Sequence, residues 1–312
     1  MRFQGKRVLV TGGGGFIGKH LCAALMQEGA EVKALRSSEC DLLCYEQIEV
    51  SLQSESFDLI FHLAADVGGI GYMQAHGAEV FENNLLMNTQ LLHAARRNGV
   101  GKLVNIASIN CYPAEAEAPY LESSLFDGQP ALPVLGYAYA KRAMLVHSEL
   151  ARQQFGFNSI NLILDSVYGP GESFSLDTAR VLPANVARFV DAAHSGVEEV
   201  TCWGTGEPVR DFLHVDDAVS AIIQSASSIE SSAPVNIGSG NPLSLRKLIV
   251  KIADQAGYRG SINWDHNKPD GQAVRYMTVD RLKSYIDWRP RIDLDDGIKA
   301  MIHHYRHKVL SR

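Results

Sequence analysis

The sequence predicts an α/β protein built on a doubly wound parallel sheet, and three features carry that prediction. Short β-rich runs alternate with helical periods through the first half, a glycine-rich turn follows the first strand, and the rhythm loosens only beyond residue 168. Strands separated by helices need right-handed crossovers, which place helices on both faces of a parallel sheet.

The first strand lies within residues 6–11, centred on Val8-Leu9-Val10. Residues 16–28 carry an apolar helical period that Gly29 ends. Further strands read at 31–35, 59–63, 103–107 and 159–164, with a helical stretch before residue 59 and long helices over 79–98 and 137–155. From Gly169 onward, Pro170, Gly171, Pro183, Gly204, Gly206 and Pro208 punctuate shorter elements, and helices recur near 245–256 and 295–307.

Bulk properties narrow the function classes. A chain of 312 residues, 46% hydrophobic and 21% charged, has ample material for a core. The net charge of -6 leaves no basic surface for nucleic acid, so a bound phosphate must be held by helix N-termini and a few placed arginines. The 5 cysteines include no CxxC pair and read as reduced thiols of a cytoplasmic protein. A strand starts almost at the N-terminus, so no targeting segment is expected. No apolar run reaches the roughly 20 residues of a membrane span, and no metal site is expected.

The turn Thr11-Gly12-Gly13-Gly14-Gly15-Phe16-Ile17-Gly18 joins the first strand to the first helix. A tight turn, the close approach of a pyrophosphate and close helix packing each need a small residue, and Gly12, Gly15 and Gly18 supply them. The backbone N–H groups of Phe16 and Ile17 then open the helix toward the anion. This is a Rossmann-type dinucleotide site, expected within residues 1–168. Residues 169–312 are expected to form a smaller substrate-binding region, with about 210–240 returning to the main sheet.

The end of the second strand discriminates between cofactors. NAD binding wants a carboxylate there for the ribose 2′-OH; this strand ends Lys33-Ala34-Leu35-Arg36-Ser37. Arg36 and Ser37 suit a 2′-phosphate, which predicts NADP(H). Asp41 and Leu42 are placed at the adenine edge, and Leu63, Ala64 and Ala65 also on the cofactor side.

Tyr137-Ala138-Tyr139-Ala140-Lys141 puts Tyr137 and Lys141 one helical turn apart on the same face. An ammonium beside a phenol is expected to lower the phenol's pKa, making Tyr137 the proton donor or acceptor at a carbonyl or alcohol carbon. Ser108, just past the fourth strand, reaches the same oxygen. Tyr139 points to another face, where packing is its expected role. His62 reads as a satisfied core histidine.

Together these residues resemble the extended short-chain dehydrogenase/reductase family, the NAD-dependent epimerase/dehydratase group, over essentially the whole chain. Within it, several runs are similar to the GDP-L-fucose synthases. They are Ala64-Ala65-Asp66-Val67-Gly68-Gly69-Ile70, Cys111-Tyr112-Pro113, Val167-Tyr168-Gly169-Pro170, the stretch from Trp203 to Asp217, and Lys268-Pro269-Asp270-Gly271. The resemblance implies a GDP-linked sugar substrate and NADPH. It also implies a homodimer formed through the 79–98 helix and the helix bearing Tyr137. It places Arg210 on the nucleotide diphosphate and Lys268, Asp270 and Arg275 along the cleft. Val67, Gly68, Asn110, Ser166, Arg180, Val181 and Trp203 complete the substrate set.

Two departures bear on the reaction. The synthases carry an epimerising cysteine two residues after the serine, where this chain has Asn110, and a partner histidine where it has Arg180. An amide cannot abstract a proton α to a carbonyl, and a guanidinium cannot shuttle one near neutrality. Cys111 as a shifted base is disfavoured, because one residue along an extended segment faces the other way. Leu164 and Ser166 replace the customary proline and asparagine.

The expected activity is reduction at C4 of a nucleotide-linked 4-keto-6-deoxy or related keto sugar without epimerisation. An NAD-dependent C4 epimerase is the alternative. A dehydratase is disfavoured by Ile109-Asn110 where an acidic pair belongs, and a non-catalytic sensor by the intact serine, tyrosine and lysine.

Overall fold

The computed structural model describes residues 3–175, 179–268 and 270–308, and Pro269 of the Lys-Pro-Asp-Gly run lies outside the described residues. The first half alternates β1 (Arg7–Thr11), α1 (Phe16–Gln27), β2 (Glu31–Leu35), α2 (Tyr45–Ser54), β3 (Leu59–His62), α3 (Ile70–Ala75), α4 (Gly77–Arg97), β4 (Lys102–Ser108), α5 (Leu135–Phe155) and β5 (Ser159–Leu164). These bounds agree with the apolar periods to within a few residues at each end.

The central sheet has 6 strands in the order β10-β5-β4-β3-β1-β2, where β10 is Pro234–Ile237. Every pairing in it is parallel. The chain moves outward from β1 to β2 and then crosses back to β3, so a crevice opens beyond the carboxyl ends of β1 and β3. Open α/β sheets bind ligands at such reversals.

The second half supplies β6 (Ser166–Tyr168), α6 (Val181–Ser195), β7 (Glu199–Trp203), β8 (Val209–Arg210), β9 (Phe212–His214), α7 (Val215–Ser228), β11 (Leu243–Ser244), α8 (Leu245–Ala256), β12 (Ser261–Asp265), β13 (Val274–Arg275), α9 (Asp280–Tyr285) and α10 (Leu294–Lys308). One core joins Val8, Val10 and Leu21 to Ala218, Ile222 and Val235, so α7 and β10 pack with the main sheet. A second core joins α6, α8 and α10 through Phe189, Ile252 and Met301.

Small ladders aim the second half at the crevice. β6 runs parallel to β9, β7 to β12, and β13 to β8, the last pairing setting Arg275 directly opposite Arg210. The carboxylate of Asp211, between β8 and β9, accepts the N–H groups of Ser239 (2.7 Å) and Gly240 (3.0 Å) and the Ser239 hydroxyl. This fixes the arginine strand to the loop after β10. No helix among the described residues is long and apolar enough to cross a membrane, and none of their side chains cluster as metal ligands.

Candidate active site

β1 ends at Thr11 and the chain turns through Gly12 at φ +69. A Cβ on Gly12 would stand 2.8 Å from the Ala64 nitrogen, and one on Gly18 would collide with the Gly12 carbonyl oxygen. The turn is therefore wedged between the segment leaving β3 and the first turn of α1. Gly15 caps α1 with extended backbone, no side-chain cap and no acid in the first turn. The N–H groups at that end have no helical acceptor, which suits an anion.

Leu63, Ala64 and Ala65 follow β3 beside this turn, and the Ala64 N–H donates to Thr11 Oγ1 (3.3 Å). Thr11 Oγ1 also bonds His62 Nδ1 (2.8 Å), and His62 Nε2 bonds Asn88 Oδ1 (2.9 Å). Asn88 in turn donates to the Ala140 carbonyl (3.4 Å), next to Lys141. Burial, then the Lys141 charge, pull His62 down to about 3, so it stays a neutral connector between the glycine turn and α5.

Beyond β2, Arg36, Ser37 and Asp41 are exposed, whereas Leu42 is buried in the core with Leu35 and Ile48. Leu42 therefore turns away from the adenine edge. Asp41 Oδ1 accepts the Leu43 N–H (2.9 Å). The carboxylate of Glu39 folds back onto the Arg36 N–H (3.0 Å). An acid does stand near this strand end, three residues later than the strand-end reading looked for it.

Ser108 closes β4, and its hydroxyl accepts the Asn110 N–H (3.3 Å). Tyr137 and Lys141 follow on α5, 8% and 1% exposed, with the ammonium 6.0 Å from the phenol ring centre. Burial, with no carboxylate beside it, pulls Lys141 down to about 8. Burial also raises Tyr137, the Cys111 thiol adds to the rise, and only the Arg180 charge opposes it. The expected acidic phenol is thus corrected: desolvation outweighs the neighbouring cation, and Tyr137 keeps its proton through the neutral range. Cys111 is wholly buried and pushed up to about 11, so it is no base.

Both positions where an inverting pair would stand are engaged. Asn110 Oδ1 accepts from Arg275 Nη1 (3.0 Å). Arg180 turns Nε and Nη2 onto one oxygen of buried Glu172, both at 2.6 Å, and its guanidinium lies 6.0 Å from the Phe16 ring. Val181 starts α6 right after it and is part-exposed.

Arg210, opposite Arg275, donates to the carbonyls of Val209 and Gln272 (both 2.7 Å), and burial, then Arg275, pull it down to about 10. Trp203 is 67% exposed with the Lys268 ammonium 5.3 Å from its ring centre. Asp270 is corrected from a substrate contact to a loop brace, since its two oxygens accept the Thr205 N–H and hydroxyl (2.7 Å each). Val67 and Gly68 are exposed in the loop before α3, with Gly68 under the Tyr72 ring. Ser166 directs its N–H and hydroxyl to Asp165. Tyr139, 41% exposed, lines an apolar groove of about 970 Å³ between α4 and α5.

Sequence reasoning missed Asp165, Glu172 and Tyr120. The only signal for Asp165 was an acid ending the otherwise apolar run Leu162-Ile163-Leu164.

Comparison with known proteins bears on this geometry. GDP-L-fucose synthase 1 of Arabidopsis thaliana is 32% identical over 313 residues, spanning 100% of this chain and 97% of the relative. A GDP-6-OMe-4-keto-L-xylo-heptose reductase from C. jejuni superposes with a TM-score of 0.90 at 25% identity, over 97% of this chain and 98% of that one. A GDP-mannoheptose C4 reductase from Campylobacter jejuni, solved with NADP bound, gives 0.89 at 24% identity, over 97% and 99%. The profile of the NAD dependent epimerase/dehydratase family matches residues 8–238, the span from β1 through the whole six-stranded sheet, and the chain belongs to that family.

Proposed function

We propose that this protein is an NADPH-dependent reductase of the C4 keto group of a GDP-linked 4-keto-6-deoxy or related keto sugar, and that it does not invert C3 or C5. One observation carries this reading. Buried Lys141 stands by protonated Tyr137 and Ser108 closes β4, while Asn110 and Arg180 are held by Arg275 and Glu172.

The cradle fits a dinucleotide: side chains at Gly12 and Gly18 would fill it, and the open end of α1 faces it. NADPH, when bound, supplies the hydride. Tyr137 gives its proton to the C4 oxygen as charge develops there, and the Ser108 hydroxyl donates to the same oxygen. Lys141 would hold the nicotinamide ribose hydroxyls and stabilise the phenolate left behind. Burial keeps Tyr137 protonated, the state that proton donation to a carbonyl oxygen needs. The C4 epimerase reading needs both directions. Glu39 near the end of β2 is the one feature that favours it, because a carboxylate there suits NAD.

Residues 169–312 supply the nucleotide-sugar side through Arg180, Trp203, Arg210, Lys268 and Arg275. A second copy of the chain covers the groove between α4 and α5, where exposed Tyr139 and Val146 line the wall with Phe81 and Leu85, as the family resemblance implies.

Turnover of a GDP-4-keto-6-deoxy sugar with NADPH in D2O is expected to leave C3 and C5 free of deuterium beyond the enzyme-free control; enrichment at either carbon defeats the no-inversion claim. The reduction rate is expected to hold below pH 8 and to fall as the pH rises through about 8, where Lys141 loses its charge. Tyr137→Phe should lower that rate at least about 100-fold at every pH with NADPH binding retained; a variant that keeps wild-type turnover removes the mechanism. Arg36→Ala should raise KM for NADPH about 10-fold or more, as loss of a charge-assisted phosphate contact does, and leave NADH unchanged. An equal effect on both cofactors, or enzyme isolated with bound NAD and no net NADPH consumption, favours the epimerase. Light scattering should give twice the 34.1 kDa chain mass; a monomer at micromolar concentration rejects the paired groove.

A further inference from the structure

Asp165 stands at the sheet's carboxyl edge, just beyond β5. β5 ends at Leu164, the register partner of Ser108, so Asp165 lies one residue beyond the strand pair that carries the serine. It is 5% exposed, and its Oδ1 accepts the Ser166 N–H (2.7 Å) and hydroxyl (3.3 Å). Its Oδ2 is buried without a protein hydrogen-bond partner.

Arg275 Nε shares that condition, and the hydroxyl of Tyr120, a residue 1% exposed, is buried too. The Gln272 amide, which donates to the Ala114 carbonyl (2.8 Å), also reaches the Tyr120 hydroxyl, so the fully unpartnered pair is Asp165 Oδ2 and Arg275 Nε. The three groups lie within electrostatic reach of one another, with Arg275 acting on both Asp165 and Tyr120. Arg275 is tied to the reaction centre through Asn110 and so to Ser108. An unpartnered acceptor and an unpartnered donor, Asp165 Oδ2 and Arg275 Nε, thus lie within electrostatic reach of each other and of the Tyr120 phenol. Buried polar groups left unpaired are costly and rare.

The chemistry of this corner selects its ligand. A carboxylate repels phosphate, so the diphosphate is not what it receives. A hydroxyl both donates and accepts, and meets all three groups. We propose that Asp165, Arg275 and Tyr120 form a hydroxyl-recognition subsite, in which a free sugar hydroxyl donates to Asp165 Oδ2 and accepts from Arg275 Nε. This rests on the nucleotide-sugar reading above and adds that the sugar is not deoxy at the carbon facing Asp165. Burial and the Asp211 carboxylate push Asp165 up to about 7, so at pH 8 it is mostly ionised.

The test is calorimetric titration at pH 8 of NADP-saturated protein, wild type and Asp165→Asn, with GDP, GDP-mannose and the monodeoxy analogues of GDP-mannose. Asp165→Asn is expected to weaken GDP-mannose about 10- to 100-fold, as loss of a hydrogen bond to a charged group does. GDP should stay within about 2-fold, because the bare nucleotide carries no sugar hydroxyl for Oδ2 to receive. One deoxy analogue should bind both proteins alike. Equal weakening of GDP and GDP-mannose, or no weakening of either, overturns the subsite. A wild type that binds neither GDP nor GDP-mannose removes the GDP-sugar reading itself, which is a separate failure. If Asp165→Asn does not fold, judged by lost NADP binding, the wild-type series decides alone. In that series, absence of any deoxy analogue weakened more than about 3-fold, well under the cost of such a bond, overturns the proposal.

Discussion

Taking an ammonium out of water costs several kcal/mol unless something offsets it, and Lys141 is 1% exposed with no carboxylate beside it. The protein accepts this at the first long helix after β4, and its surroundings are arranged around that choice. His62 is kept neutral between Thr11 and Asn88, so it adds no second positive charge. Cys111, wholly buried beside the pair, is held as a thiol. The same desolvation that lowers the lysine raises the phenol of Tyr137. Burial thus drives both groups toward their neutral forms and leaves the phenol as a donor waiting for an acceptor.

Geometry and electrostatics meet in the chain of contacts that starts at the glycine turn. Gly12 packs against Ala64, Ala64 bonds Thr11, Thr11 bonds His62, and Asn88 carries the connection to Ala140 on α5. The dinucleotide cradle and the tyrosine helix are therefore set against each other by buried polar bonds as well as by apolar packing. Such bonds have narrow distance and angle preferences, and proton donation to a carbonyl held against a dinucleotide needs that kind of precision.

What could be read beforehand was local in the chain. The turn from Thr11 to Gly18, the one-turn spacing of Tyr137 and Lys141, and the strand-end serine each put their chemistry in adjacent or nearly adjacent residues, so period and spacing were enough. Helix bounds such as Leu245–Ala256 followed from apolar period for the same reason. What could not be read depended on who meets whom across the fold. Asp270 looked like a cleft residue until Thr205 was found in its grip, and Leu42 like an adenine contact until the core took it. The phenol's direction of shift was misjudged because neighbouring charge shows in a sequence and depth of burial does not. Glu172 and Asp165 were invisible because each matters only through a tertiary partner.

The two changed positions also make physical sense as a pair with their new partners. A guanidinium at 180 would put a fixed charge close to Phe16 and the phenol, and Glu172 takes both of its donors on one buried oxygen. An amide at 110 offers an acceptor, and Arg275 uses it. In a chain of net charge -6, the proposed function asks for local cations, and Arg210 and Arg275 stand opposite each other on paired strands while the Arg180 charge acts on Tyr137. Acids stand among them only where they orient or offset: Glu172 on Arg180, Asp211 on the loop after β10, Asp165 facing Arg275. Low-dielectric walls make each of those charges act more strongly than it would on the surface. The local field around those arginines therefore opposes the sign of the whole molecule, which is what the proposed nucleotide-sugar substrate would need from an acidic protein.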